Sequence, residues 1–162
     1  MSRPKMLPDD VRQICIQIVR GYDRRVRDYY NRRRDIIDGT PSRYETITDT
    51  SDPTDWEKST RFYSPSSHSA SRTGEDKTMK LLGLEELLET KRMRAVAEAK
   101  QCIGLDLPGE MRAKLVDAIM LNCKSGRQYP YEYLDVDGIG RTDFYTRRSR
   151  FLMDIATRLD LI

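Results

Sequence analysis

In GIGRTDFYTRRSRFL, residues 138–152, two glycines lead into four arginines interleaved with two phenylalanines. At about 100° per residue, Phe144, Phe151, Ile155 and Leu159 fall within about 80° of one another, with Leu152 at the edge of the arc. The opposite side carries Thr142, Asp143, Thr146, Ser149 and Arg150, with Arg147 on its flank. The spacing predicts a helix that starts near Arg141, runs to the C-terminus and buries one side. Gly138 and Gly140 suit a tight turn into it, with Gly140 an acceptable N-cap and Ile139 filling the gap to the preceding helix. Arg148 alone falls on the apolar side, where its alkyl stem could lie inward and its charge reach water.

Upstream, YPYEYLDV reads as one short helical turn with Tyr131 and Leu134 inward. Before it, GEMRAKLVDAIMLNCKSG forms a helix with Met111, Leu115, Ala118, Ile119 and Cys123 inward and Gly126 ending it. LDLPG separates this from a helix over about 79–103, with Leu84, Leu87, Leu88, Val96, Ala99 and Ile103 on or near one face. At the other end, Val11, Ile14, Cys15, Ile18, Val19, Tyr22, Val26, Tyr29 and Tyr30 make a helical stripe. It predicts one long amphipathic helix over 8–36, with Pro8 in its first turn, Asp9 and Asp10 at its positive end and Gly21 as a weak point. A stripe of that length must pack on the rest of the chain or on another copy, which makes a homodimer through this helix one expectation.

Residues 38–76 hold twenty Ser, Thr, Pro and Gly among thirty-nine and lack periodicity, the composition of a flexible linker. Trp56, Phe62 and Tyr63 within it could dock on the helical domain. No strand pattern occurs. The expected fold is therefore all-α: a basic N-terminal helix (1–37), an acidic linker (38–76) and a helical domain (77–162).

The net charge of +3 hides a segregation, from +5 over residues 1–37 to −4 over 38–76. Such asymmetry suits a polyanion partner, and Arg32, Arg33 and Arg34 are candidates for phosphate contact. The three cysteines, Cys15, Cys102 and Cys123, give neither a disulfide framework nor metal-ligand spacing, and His68 is the only histidine. No zinc set and no histidine-based triad can be assembled, so no enzyme, cofactor or metal is expected. GIGRTD lacks the third glycine of a dinucleotide loop, and the series begun by Asp135 and Asp137 has Thr146 where a calcium loop needs glutamate. No apolar run approaches the roughly 20 residues that span a bilayer, so a cytoplasmic protein is expected.

Short polar side chains in the first two turns of a helix, flanked by arginines, are what a recognition helix offers DNA. The segments KRMRAVAEA, LVDAIMLNCKSGRQYPYEYL and GIGRTDFYTRRSRFLMDIATRLDLI together resemble RinA/ArpU-type transcriptional regulators of phages and prophages of Gram-positive bacteria. That family carries a helix-turn-helix similar to sigma-factor region 4, with a segment I-S-R-T-x-F-Y-x-x-R before a hydrophobic final helix. Ile139, Arg141, Thr142, Phe144, Tyr145 and Arg148 match it, whereas Gly140 stands at the family's serine. The resemblance covers about residues 84–162 and implies control of late phage genes, with double-stranded DNA and host RNA polymerase as partners. On this reading Arg141, Thr142, Tyr145 and Thr146 face the major groove while Arg147 and Arg150 neutralise phosphates. A ring-forming DNA-packaging adaptor of the small-terminase kind and a helical interaction module without nucleic acid are the alternatives.

Overall fold

The computed structural model describes residues 6–39, 70–125 and 128–162. All regular structure among them is helical: α1 (Asp9–Arg20), α2 (Tyr22–Asp38), α3 (Ala70–Glu86), α4 (Leu88–Gln101), α5 (Gly109–Ser125), a 3₁₀ turn (Tyr131–Tyr133) and α6 (Arg141–Arg158). They divide into two compact units, one joining the described residues up to Arg25 with Lys91–Ile162 and the other comprising Val26–Thr90.

In the first unit α1 packs on both α5 and α6. Cys15 and Val19 are fully buried there with Val96, Leu115, Ile119, Cys123, Phe144 and Ile155. The α1 part of the stripe predicted for the N-terminus is thus buried against its own chain, whereas Val26 and Tyr29 of α2 are half-buried and Tyr30 is exposed, contrary to the expectation of one buried stripe. The α1 arc differs at the edges, since Ile16 turns inward and Ile14 faces solvent. Lying between two helices, α1 buries a wide arc centred near Cys15 and Val19, and Ile16 falls inside that arc. Pro8 is the N-cap rather than a first-turn residue, and its carbonyl accepts the Arg12 N–H at 2.9 Å.

The expected single helix over 8–36 is two helices meeting at Gly21. Arg25 is buried there, and its Nη1 donates to the Ile18 carbonyl at 2.7 Å. A Cβ at Gly21 would lie 2.5 Å from that Nη1, so the missing side chain makes room for the guanidinium. Further on, α4 ends in a turn in which Gly104 has φ +63°, a conformation that favours glycine. Arg112 caps this end, donating from Nε to Ile103 O at 2.9 Å and from Nη2 to Gln101 O at 2.6 Å. On α5 the expected inward residues Leu115, Ala118, Ile119 and Cys123 are buried, and Met120 and Asn122 join them. Asn122 Nδ2 donates to Tyr129 O at 2.8 Å; Gly126, expected to end this helix, lies outside the described residues.

The second unit pairs α2 with α3. The Tyr29 hydroxyl donates to Glu85 and Lys77 Nζ to the Ile37 carbonyl, so the two helices run antiparallel. The helix expected over 79–103 is likewise two, because the buried Thr90 hydroxyl takes the Leu84 carbonyl at 2.7 Å and competes with the helical bond there. Leu84 is buried, but the break turns Leu87 and Leu88 outward, contrary to the single-helix expectation. Helix α3 starts at Ala70, inside the stretch read as linker. Asp38, the first residue of that stretch, ends α2, and residues 40–69, with Trp56, Phe62 and Tyr63, lie outside the described residues.

The Gly21 arrangement reverses the usual effect of a helix glycine. Gly21→Ala gains about 1 kcal/mol of helix propensity but displaces a buried, charged donor whose bond is worth roughly 1.5–3 kcal/mol. The expected outcome in denaturant unfolding is a net loss of about 1 kcal/mol. A stabilised G21A variant would show that the Arg25 bond adds nothing.

Candidate nucleic-acid interface

The chain enters α6 through residues 134–140, where Val136 and Ile139 are buried. Gly138 has φ +82°, a backbone conformation that calls for glycine, and a Cβ there would lie 3.1 Å from the flexible end of Met111. Gly140 is the N-cap, extended at φ −69° and ψ 154°; it offers no side-chain cap, and its carbonyl accepts the Phe144 N–H at 2.9 Å. The Tyr131 hydroxyl donates to the Ile139 carbonyl, pinning the turn. The regular structure just before the turn is only a 3₁₀ turn of three residues, started by Pro130 and ended by extended Leu134. The seven residues between it and α6 exceed the three or four of a standard helix-turn-helix joint.

Phe144, Phe151, Leu152, Ile155 and Ala156 are the buried side of α6. Phe144 sits in an aromatic nest, with Tyr145 edge-on at 5.3 Å and Tyr131 tilted at 5.6 Å between centroids. On the far side Thr142, Asp143, Thr146, Ser149 and Arg150 are exposed, and Arg141 is exposed at the N-terminal end of the helix, about 60° around from Phe144. Thr146 bonds back to the Thr142 carbonyl at 2.8 Å. Asp143, in the first turn, suits the positive end of the helix dipole. Tyr145 is half-buried against the core, so only part of this ring is available outward.

The arginines do not form one free cationic face. Arg147, with a side chain only 18% exposed, binds Asp106 through both terminal nitrogens at 2.7 Å each and Asp143 through Nε at 2.9 Å. Arg141 pairs with Glu132 at 2.9 Å, but its side chain is 66% exposed. Arg158 pairs with Glu98 and, at 3.2 Å, with Asp154. Arg150 lines an open cleft of about 360 Å³ together with Asp106, Asp154, Cys102 and Leu105. Arg148, the residue that broke the apolar pattern, is half-buried beside Cys123, whose thiol is raised by burial against the opposing pull of Arg148.

Of the residues expected to meet DNA, the fold therefore brings Thr142, Thr146 and Arg150 to one side of α6, within about 80° of one another, and leaves Arg141 exposed at the helix start beside Glu132. It ties Arg147 into the α4–α5 turn and turns Tyr145 partly inward. Asp106 is the residue sequence reasoning missed: it lies forty-one positions from Arg147, and no local pattern links them. Among the described residues no helix is long and apolar enough to cross a membrane. Comparison of the chain with protein-family models, with curated proteins and with solved structures finds no match.

The Arg147 hydrogen bonds hold the Asp106 carboxyl at about 2, below its ordinary value near 3.9. A lowered folded-state value means that the pair contributes in full above about pH 4 and is lost as pH falls through about 2. A carbon-detected carboxyl titration should place the Asp106 midpoint near 2 and, in Arg147→Ala, clearly higher, towards the ordinary value near 3.9. A midpoint near 3.9 in the unaltered protein would show that the pair does not form in solution.

Proposed function

We propose that the chain binds double-stranded DNA through the exposed side of α6 and acts as a transcriptional regulator of phage or prophage genes. The observation that supports this reading most is the placement of Thr142, Thr146, Ser149 and Arg150 in solvent on a helix whose other side is anchored by the buried Phe144, Phe151 and Ile155. A groove-reading helix needs short polar groups in its first turns and a rigid mount. The resemblance of residues 84–162 to RinA/ArpU-type regulators supplies the biological setting, late-gene control alongside host RNA polymerase.

In this reading Thr142 and Thr146 approach base edges and Arg150 approaches a phosphate, while Arg141, expected in the groove, is reassigned to a phosphate near the start of α6 because it stands about 180° around the helix from Arg150. An exposed ion pair such as Arg141–Glu132 is worth about 0–1 kcal/mol, so Arg141 can exchange its partner for a phosphate at little cost. Arg147 is held by two carboxylates and is better placed to set the helix against the α4–α5 turn than to leave it. Its assignment as a phosphate contact is therefore replaced by a positioning role.

Fluorescence anisotropy with random duplex DNA over a salt series tests the assignment. Arg150→Ala should weaken binding to every sequence and reduce the salt slope by about 0.9, while Thr146→Ala should change the sequences recovered by in vitro selection. Arg147→Ala should lower stability and leave the slope nearly unchanged. Absence of any salt-dependent binding by the unaltered chain would remove the DNA reading and leave a helical interaction module in its place.

A further inference from the structure

The second unit leaves large apolar side chains in water. Tyr30 (61% exposed) and Ile37 (46%) stand out from α2, and Met79 (68%) and Leu82 (56%) from α3. Among the described residues of Val26–Thr90 only Leu84 and Thr90 are buried. Two helices that cover so little of each other are normally completed by a further packing partner.

Leu87 and Leu88 are exposed too, at the break after α3, but these four on α2 and α3 share one side of the hairpin. Tyr30 and Ile37 are about 20° apart on α2 and roughly 100° around from Tyr29, which faces α3. Leu82 is displaced in the same rotational sense from the side of α3 that faces α2, and Met79 lies about 60° beyond it. Because the helices are antiparallel, the same sense of rotation about each brings both sets to one face. Tyr29 is level with Glu85 and Ile37 with Lys77, so Tyr30 lies within a turn of the level of Leu82, and Ile37 within a turn of that of Met79.

We propose that this face is a homodimer interface and that its occupant is the same face of a second copy. Charge selects the arrangement. Helix α2 carries six arginines and four aspartates, a net +2, while α3 carries three cations and four carboxylates, a net −1. Stacking α2 on α2 opposes like charges; a twofold axis along the hairpin sets α2 of each copy on α3 of the other. Tyr30 then meets Leu82 of the second copy, Ile37 meets Met79, and Arg27 comes level with Glu86. Such an interface is isologous, with each contact made twice, and four antiparallel helices with a shared apolar centre form a stable bundle. The inference is independent of the DNA reading, since it concerns the other unit and is measured without DNA.

Sedimentation equilibrium of the full chain should give twice the 18.9 kDa chain mass. Leu82→Glu and Met79→Glu, both at exposed positions, should weaken dimerisation by at least about tenfold with far-UV circular dichroism unchanged. Arg27→Glu should weaken it as well, and adding Glu86→Arg should restore it. A monomeric unaltered chain, a ring of higher order, or a dimer indifferent to Leu82→Glu would each overturn the proposal. Failure of Glu86→Arg to rescue Arg27→Glu would overturn the arrangement of α2 on α3.

Discussion

The rotational setting of α6 depends on the burial of Phe144, Leu152 and Ile155 against α1 and α5. Each such side chain is worth roughly 1.5–3 kcal/mol when removed from water, whereas an exposed ion pair is worth about 0–1. The apolar contacts therefore decide which side of α6 faces solvent, and the ion pairs adjust to that choice. Thr142, Thr146 and Arg150 point outward because Phe144, Phe151 and Ile155 cannot. The glycines of the entry turn serve the same end: Gly138 adopts a positive φ close to Met111, which lets Ile139 enter the core and α6 begin at Arg141.

Charge is distributed by a different logic. An arginine beside a carboxylate has that charge offset, and three of the α6 arginines are so placed, with Arg147 held most firmly. What α6 offers a polyanion is thus smaller than its arginine content suggests and rests on Arg150 and on the readily exchanged Arg141. The bidentate grip of Arg147 on Asp106 instead joins the middle of α6 to the turn after α4. A helix so fixed can present short side chains at a constant height, which is a condition for reading a groove.

Much of the fold was legible from periodicity. Leu115, Ala118, Ile119 and Cys123 of α5 and the core side of α6 follow from three-and-four spacing alone, as does the burial of Cys15, Ile18 and Val19, whereas Met120 and Asn122 do not. The helix breaks were not legible. Gly21 signalled weakness, but the reason for the break is Arg25 folding back to Ile18, a bond that requires the missing Cβ. At Leu87 the break depends on a threonine hydroxyl three residues further on, and threonine is common enough in helices to give no warning. The partial withdrawal of Tyr145 was equally hidden, because its position on the wheel lies at the border of the two sides.

Periodicity in the sequence was enough to give the centre of the buried side of α1, α5 and α6, because leaving those apolar residues in water is costly, but not the edges of those arcs, where Ile14 is exposed and Ile16 and Met120 are buried. It also determined that the chain, in its described parts, is helical. What the charged residues do follows instead from how distant helices pack. An arginine on a solvent-facing arc looks the same whether it is free or paired, and its partner is set by elements distant in the chain, as Asp106 is for Arg147 and Glu132 for Arg141. The fold also decided that the N-terminal stripe divides its service, with α1 completing the core of one unit while α2 pairs with α3 in the other. The physical reason is range: hydrophobic periodicity is written locally along one helix, while ion pairing and helix partnership depend on which segments the folded chain brings within a few ångströms of each other.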